Sequence, residues 1–137
     1  MEAIELLRTR RSVIARNLSD PGPSEEELAV IIESGIRTPD HGKIGPWRVQ
    51  IVTKEGQNAL GDVFSEVFQK EHGERATDAM IEFEKQRPKR APALLIVTSN
   101  ILVPHKIPEM EQKLSGGAFC MNILNAAHAL GYSAQWL

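Results

Sequence analysis

The sequence is poor in cysteine, in long apolar runs and in excess charge of either sign, and each deficit excludes a class of protein. Cys120 is the only cysteine in 137 residues, so an internal disulfide is excluded and a reducing cytoplasm is favoured. A run of about 18 apolar residues and a secretion signal are both missing, so neither membrane spanning nor export is indicated. A formal net charge of -2 and a pI of about 6.1 leave no basic footprint for nucleic acid or an anionic membrane.

Common phosphate-binding and metal-binding motifs are also missing from the sequence. There is no Walker loop and no Gly-x-Gly-x-x-Gly turn, so side chains would have to hold a phosphate ligand. The four histidines are scattered without metal-ligand spacing, which argues against a metal site. Cys120 lies among apolar helix residues and is interpreted as an inert core thiol. With 42% hydrophobic residues, the composition is that of a single soluble globular domain, and the small net charge favours a small ligand.

The apolar spacing predicts helices alternating with three strands. Ser24 stands three residues before Glu27 and predicts a capping box at the start of one helix, which must end before Pro39. Ile4 and Leu7 are expected to form the apolar face of a first helix. That first helix is predicted at 1–9, and further helices are predicted from about 55, at 74–85 and at 109–130. Strands are predicted at 47–53, at 93–98 as the buried centre of a sheet, and from 132 to 137.

Two polar clusters stand out against this background. Arg10, Arg11 and Ser12 close the first helix, and two guanidinium forks beside a hydroxyl suit the grip on a phosphate. The alternative is that basic residues in a last turn merely complement the carbonyl end of the helix dipole. The second cluster, from Arg37 to His41, favours the phosphate site.

These clusters belong to an ordered set of motifs. Arg-Arg-Ser is followed by Arg-x-Pro-Asp-His at 37–41, Pro46-Trp47 and a strand. The set continues through His-Lys-Ile-Pro at 105–108, the following Glu and Gln of the helix, and the closing segment 131–136. Together they resemble the FMN-dependent nitroreductase family, and in particular its compact bacterial NAD(P)H nitroreductase subgroup.

The resemblance implies an α+β fold with a mixed central sheet wrapped by helices, in a homodimer that holds FMN at the subunit interface. It implies one nitroreductase-like domain over residues 1–137, which lacks the C-terminal part of family chains. The residues it assigns to FMN are Arg10, Arg11, Ser12, Arg37, His41 and Trp136. Those it assigns to the nicotinamide nucleotide are Ala126, Ala127, His128, Ala129, Leu130 and Gly131.

The activity implied is transfer of a hydride from NAD(P)H to the flavin and then of electrons to a nitroaromatic, quinone or similar acceptor in the cytoplasm. The flavin carries this chemistry, so no catalytic acid or base is assigned. The alternative is an FMN-binding protein that stores or senses the flavin without turnover. Two features favour this alternative. One is the missing C-terminal part, and the other is Lys43, because many family members have at that position an asparagine that hydrogen-bonds the flavin ring. Small residues along 116–129 suggest close approach of a flat ligand or of a second subunit.

Overall fold

The computed structural model describes residues 2–137, which form five α-helices and two β-strands. The helices are α1 (Ala3–Thr9), α2 (Glu25–Ile36), α3 (Lys54–His72), α4 (Asp78–Gln86) and α5 (Glu109–Ala129), and the strands are β1 (Trp47–Val52) and β2 (Leu94–Ser99). No helix among these residues combines the length and hydropathy needed to cross a membrane.

The two strands form one small sheet. The N–H of Asn100, just after β2, donates to the carbonyl of Pro46, just before β1, at 3.0 Å, so the strands run antiparallel. An antiparallel sheet among helices confirms the predicted α+β class. The predicted central position of β2 is wrong: within residues 2–137 it pairs with β1 alone, and its side chains are half-buried or exposed. A short apolar run does not by itself distinguish these two environments.

One compact unit contains residues 2–14, Pro23–Gln50 and Val97–Leu137, and α2 packs on α5 within it. Gly35 allows this packing, because a Cβ there would lie 2.7 Å from the ring of Phe119, which is completely buried. The other buried apolar side chains of the two helices are Leu28, Ile31, Ile123, Leu124 and Ala127.

The predicted capping box at the start of α2 is confirmed. Ser24 Oγ accepts the N–H of Glu27 at 3.2 Å, and the N–H of Ser24 donates to Glu27 Oε2 at 2.8 Å. These bonds satisfy two backbone groups that the first helical turn leaves without partners. The helix ends at Ile36, ahead of Pro39 as expected.

The second compact unit contains Ala15–Gly22 and Ile51–Ile96, and α3 packs on α4 within it. Gly61 permits this close approach, because a Cβ at that position would collide with the carbonyl oxygen of Lys85. The Lys85 side chain also pairs with Asp62, with Nζ 2.9 Å from Oδ1. A glycine and an ion pair on one turn of α3 therefore fix its position against α4.

The predicted helix at 74–85 begins later than expected. Gly73–Arg75 forms a separate 3-10 turn, and α4 starts at Asp78 because the Thr77 hydroxyl accepts the N–H of Met80 at 3.3 Å. The N-cap preference of threonine thus outweighed the charged helical pattern before it.

Two predictions near the chain ends are also wrong. The strand predicted from 132 to 137 is reduced to a single parallel bridge between Ala134 and Ser12. The predicted apolar face of α1 is not buried, since Ile4 and Leu7 are 67% and 60% exposed. On α5, Leu114 is likewise 66% exposed. The periodicity correctly predicted helices but not which of their faces the chain itself covers.

Candidate functional site

The Arg-Arg-Ser cluster follows directly on α1 and is fixed by its backbone. The N–H of Arg10 caps α1 by donating to Leu6 at 2.9 Å. Ser12 forms the parallel bridge with Ala134, and the N–H of Val13 donates to the Ala134 carbonyl at 3.1 Å. The cluster is thereby held beside the segment that leads to Trp136.

The three side chains of this cluster have different surroundings. Arg11 Nη1 donates to the carbonyls of Arg8 and Arg10 at 3.2 and 2.8 Å, so it complements the end of α1. Arg10 is half-buried, and its guanidinium has no hydrogen-bond or ion-pair partner among residues 2–137. Ser12 is exposed. The alternative, in which basic residues complement the carbonyl end of the helix, therefore applies to Arg11. Arg10 and Ser12 remain available to a ligand.

The second cluster lies in the turn between α2 and β1. Arg37 is exposed and only loosely paired, with Nη2 3.8 Å from Glu33 Oε1. Thr38 is buried, and its hydroxyl has no hydrogen-bond partner within the described part of the chain. Lys43 adopts a left-handed backbone with φ of 54°, a conformation that residues other than Gly, Asn and Asp rarely adopt. The turn thus carries one strained residue and one buried hydroxyl without a partner.

Helix α5 holds this turn through side chains spaced one helical turn apart. Glu111 Oε2 lies 2.7 Å from Nδ1 of His41, and Ser115 Oγ donates to the Pro39 carbonyl at 2.7 Å. Phe119 stacks on Trp47, with ring centroids 4.9 Å apart. Because positions i, i+4 and i+8 share a helix face, one face of α5 fastens the whole turn.

The buried Gln112 fixes the loop that enters α5. Its amide nitrogen donates to the carbonyls of Leu102 and Ile107 at 3.1 and 2.9 Å, and its oxygen accepts the N–H of Leu102 at 2.8 Å. Three partners satisfy most of the hydrogen-bonding capacity of this buried amide. The Gln that follows the His-Lys-Ile-Pro motif is therefore accounted for by the architecture of the unit.

The C-terminal end of α5 is a tight turn containing the residues assigned by resemblance to the nicotinamide nucleotide. The N–H of Tyr132 donates to Ala127 at 2.9 Å, and the N–H of Gly131 donates to His128 at 3.0 Å, which is a Schellman motif. Gly131 has a φ of +92°, which a side chain would strain. The N–H of Leu130 is also used, since it donates to Ala126. The backbone donors of the turn at 130–132 are therefore all engaged internally.

Tyr132 ties this turn to the start of α2. Its hydroxyl donates to Glu27 Oε2 at 2.7 Å. The backbone N–H of Ser24, followed by this hydroxyl, lowers the pKa of Glu27 below its ordinary value, and the Glu27 carboxylate raises the pKa of Tyr132. Tyr132 was not among the predicted site residues, because its partner lies 105 positions away.

The two clusters lie on different faces of α5. At 100° per residue, Gly117 lies about 160° around the helix from Ser115, which contacts the turn of the second cluster. A Cβ on Gly117 would lie 3.9 Å from the ring of Trp136, so the segment beside Ser12 occupies that other side. Within one chain, the structure therefore brings Ser12 to the segment containing Trp136, but it attaches His41 to the opposite face of the helix.

Other candidate chemistry is limited among residues 2–137. No group of three His, Cys, Asp or Glu side chains there is close enough to hold a metal ion. Cys120 is half-buried, and burial raises the pKa of its thiol, which disfavours the reactive thiolate. Glu111 and Ser115 were missed as site residues, although the spacing Glu-x-x-x-Ser-x-x-x-Phe would have placed them on one helix face.

Comparisons with known proteins agree on one family. The model of the Nitroreductase family matches residues 7–137. The chain is 34% identical over 139 residues to the Escherichia coli (strain K12) protein named "Putative NAD(P)H nitroreductase YdjA", covering 99% of this chain and 72% of that protein. A Haemophilus influenzae protein named "Putative NAD(P)H nitroreductase" is 32% identical over 147 residues, again with 72% of its length covered.

Solved structures agree on the fold. A nitroreductase-like family protein from Bacillus cereus superimposes with a TM-score of 0.75 at 22% identity, covering 96% of this chain and 66% of that one. The FMN-dependent nitroreductase NfnB from Mycobacterium smegmatis, solved in complex with NADPH, gives a TM-score of 0.70 at 15% identity, covering 94% and 71%. The fold is nitroreductase-like, and with the family match and the relatives above 30% identity, the chain belongs to the nitroreductase family.

Proposed function

We propose that this chain is the subunit of an FMN-dependent oxidoreductase that takes a hydride from NAD(P)H and passes electrons to a nitroaromatic, quinone or similar acceptor. The observation that carries the proposal is the pairing of the Arg10–Ser12 segment with the segment that contains Trp136. This pairing places a cationic fork and a hydroxyl next to an aromatic segment, which matches the phosphate and the flat ring of FMN. The names of the relatives support the same chemistry, as do the FMN dependence and the bound NADPH of the Mycobacterium smegmatis protein.

The residues present fit FMN. Arg10 offers an unpartnered guanidinium and Ser12 an exposed hydroxyl to the phosphate, while Arg11 keeps N–H groups beyond those that cap α1. The unpartnered buried hydroxyl of Thr38 and the exposed Arg37 lie in the other cluster, with His41. When bound, FMN supplies the redox chemistry, and the protein supplies orientation and electrostatics. We therefore assign binding roles to these residues and no catalytic acid or base.

We further propose that FMN binds between two copies of the chain. The phosphate cluster and the turn with His41 lie on opposite faces of α5, so a second subunit is needed to bring them to one ligand. An exposed apolar stripe supports this assembly: Met110, Leu114 and Met121 are 66%, 66% and 37% exposed. Met110, Leu114 and Met121 are separated by four and seven residues, so they share one face of α5 on which another helix could pack. A stable dimer would bury more than about 2,000 Å².

The turn at 126–131 is proposed to contact the nicotinamide nucleotide at its carboxamide. The N–H groups at 130–132 are used within the Schellman motif, and the carbonyl end of a helix repels anions. The turn is therefore unsuited to a pyrophosphate. The carbonyls at 129–131 accept none of these N–H groups, and we propose that they accept from the amino group of the carboxamide. The single, half-buried cysteine supports a cytoplasmic location for the protein.

The first experiment records the visible spectrum of the purified protein with FMN, before and after anaerobic addition of NADH or NADPH. A yellow protein that is bleached by either nucleotide and recoloured by a quinone would support the oxidoreductase. A yellow protein that neither nucleotide bleaches would support flavin storage or sensing instead. A protein that FMN does not colour would overturn both.

A second experiment tests whether two subunits share the site. Arg10→Ala and His41→Ala each damage every site of a homodimer, but a mixed dimer keeps one intact site. Refolding an equal mixture should therefore restore about one quarter of the wild-type FMN sites. Mixing Arg10→Ala with Ser12→Ala is the matched control, because both changes lie in the same cluster and no intact site can form. Equal FMN binding in the two mixtures would place each site within one subunit.

A further inference from the structure

The backbone around His41 is fixed from both sides. Ser115 Oγ donates to the carbonyl of Pro39 at 2.7 Å, and Asp40 Oδ2 accepts the N–H of Gly45 at 2.7 Å. These contacts span the residues before and after His41 and hold the turn against α5. What they leave undetermined is the orientation and tautomer of the imidazole.

Glu111 determines that remaining freedom. Its Oε2 lies 2.7 Å from Nδ1 of His41, and a carboxylate oxygen can only accept, so Nδ1 carries the proton. When the ring carries this one proton, the other nitrogen, Nε2, is the acceptor. Nε2 has no partner among the residues that the structure describes, and the His41 side chain is 62% exposed.

We propose that Glu111 is a positioning residue of the flavin site, which fixes His41 in the tautomer that presents Nε2 as a hydrogen-bond acceptor. The flavin offers matching donors in its ring N3–H and its ribityl hydroxyls. The inference rests on the proposed function, because it requires FMN to reach His41. Among residues 2–137, the Glu111 side chain has a hydrogen bond or ion pair only with His41, so it acts on the ligand through the imidazole.

The test compares Glu111→Ala and Glu111→Gln with Glu109→Ala. Glu109 is the matched control, because both glutamates lie in the first turn of α5 and each interacts favourably with the positive end of the helix dipole. Glu109 pairs with Lys113 at 3.4 Å and has no contact with His41. The glutamine keeps an oxygen that can accept from Nδ1 but adds an NH2 group that can donate to it, so it should rescue the alanine defect only in part.

Two readouts separate positioning from a purely structural role. The ¹⁵N chemical shifts of His41, assigned by comparison with His41→Gln, report which ring nitrogen carries the proton and require no flavin. Fluorescence quenching reports the dissociation constant for FMN. We expect Glu111→Ala to mix the two tautomers and to weaken FMN binding by about three- to tenfold, the effect of one net hydrogen bond. Glu109→Ala should keep the wild-type tautomer and affinity, and Glu111→Gln should lie between wild type and Glu111→Ala in both.

The outcomes distinguish this inference from the function on which it rests. Wild-type protein that does not bind FMN would overturn the proposed function. Wild-type binding with equal affinities in Glu111→Ala and Glu109→Ala, or an unchanged tautomer in Glu111→Ala, would overturn the role of Glu111 alone. N3-methyl-FMN identifies the donor: the loss in Glu111→Ala should vanish with this analogue if Nε2 faces N3–H, and persist if it faces a ribityl hydroxyl.

Discussion

The hydroxyl of Tyr132 and the backbone N–H of Ser24 donate to the same oxygen, Glu27 Oε2, at 2.7 and 2.8 Å. One carboxylate therefore caps α2 and also holds the chain that leaves α5. Because Ala134 lies two residues further on and pairs with Ser12, this contact also supports the phosphate cluster.

Tyr132→Phe should lower the thermal midpoint by about 2–4 °C, since it removes one hydrogen bond to a charged group and keeps the ring. The difference from wild type should depend on pH. The pKa of Glu27 is lowered below its ordinary 4.5, so this stabilisation is present above that value and lost as the pH falls through the lower folded pKa. The pKa of Tyr132 is raised above its ordinary 10.0, so the contact is also lost as the pH rises past the higher folded value.

Thermal unfolding monitored by circular dichroism from acid to alkaline pH checks this prediction. The two proteins should differ most on the plateau between these pH limits and converge towards either end. Ser24→Ala is a useful comparison, because it removes the capping hydroxyl and leaves the tyrosine contact intact. A difference between wild type and Tyr132→Phe that does not change with pH would contradict the charged hydrogen bond.

Arg10→Ala should weaken FMN binding by about 1.5–3 kcal/mol, the range for charge-assisted hydrogen bonds to phosphate. Riboflavin, which lacks the phosphate, should bind wild type poorly and respond little to the change. Arg11→Ala should have the smaller effect on FMN, because that guanidinium already donates to two carbonyls at the end of α1. Titrating FMN and riboflavin against wild type, Arg10→Ala and Arg11→Ala measures the dissociation constants. Equal losses for FMN and riboflavin would mean that Arg10 supports the fold instead.

Gly61→Ala should destabilise the protein by about 1–3 kcal/mol, because the new methyl group would meet the Lys85 carbonyl oxygen and force α3 away from α4. This loss opposes the gain of up to about 1 kcal/mol that alanine normally brings to a helix. Asn58→Ala, at an exposed position of the same helix, is the control and should be neutral or slightly stabilising. Urea midpoints of the two variants give the comparison. Equal stability would show that the close approach is not required.

Lys43→Asn should stabilise the protein by about 0.5 kcal/mol, because asparagine tolerates the left-handed backbone better than lysine does. Lys43→Gln removes the same charge without that tolerance and should bring no such gain. Urea unfolding of both variants separates backbone strain from charge. If the glutamine variant were stabilised equally, the effect would come from the lost charge.

Features that depend on neighbouring residues were predictable from the sequence. The capping box of Ser24 and Glu27 spans three residues, so its geometry follows from the local pattern. The resemblance likewise predicted the family and the α+β class, because an ordered set of motifs is more specific than any single residue.

Features that depend on distant partners were not predictable. The contact between His41 and Glu111 joins residues 70 positions apart, and nothing in either motif names the other. The apolar run of β2 predicted a strand but not the number of its neighbours. Ile4 and Leu7 had the right helical spacing, yet burial depends on what packs against them, and this chain leaves them exposed.

Helix α5 sets limits on how the sequence can change in length. It runs without interruption from Glu109 to Ala129. It contacts the turn of His41 through Glu111 and Ser115, which are four positions apart. One inserted residue between Glu111 and Phe119 would rotate everything beyond it by about 100° and move it by about 1.5 Å along the axis. Phe119 would then leave Trp47 while Glu111 still held His41. The stretch between Glu111 and Phe119 is therefore constrained in length as well as in composition.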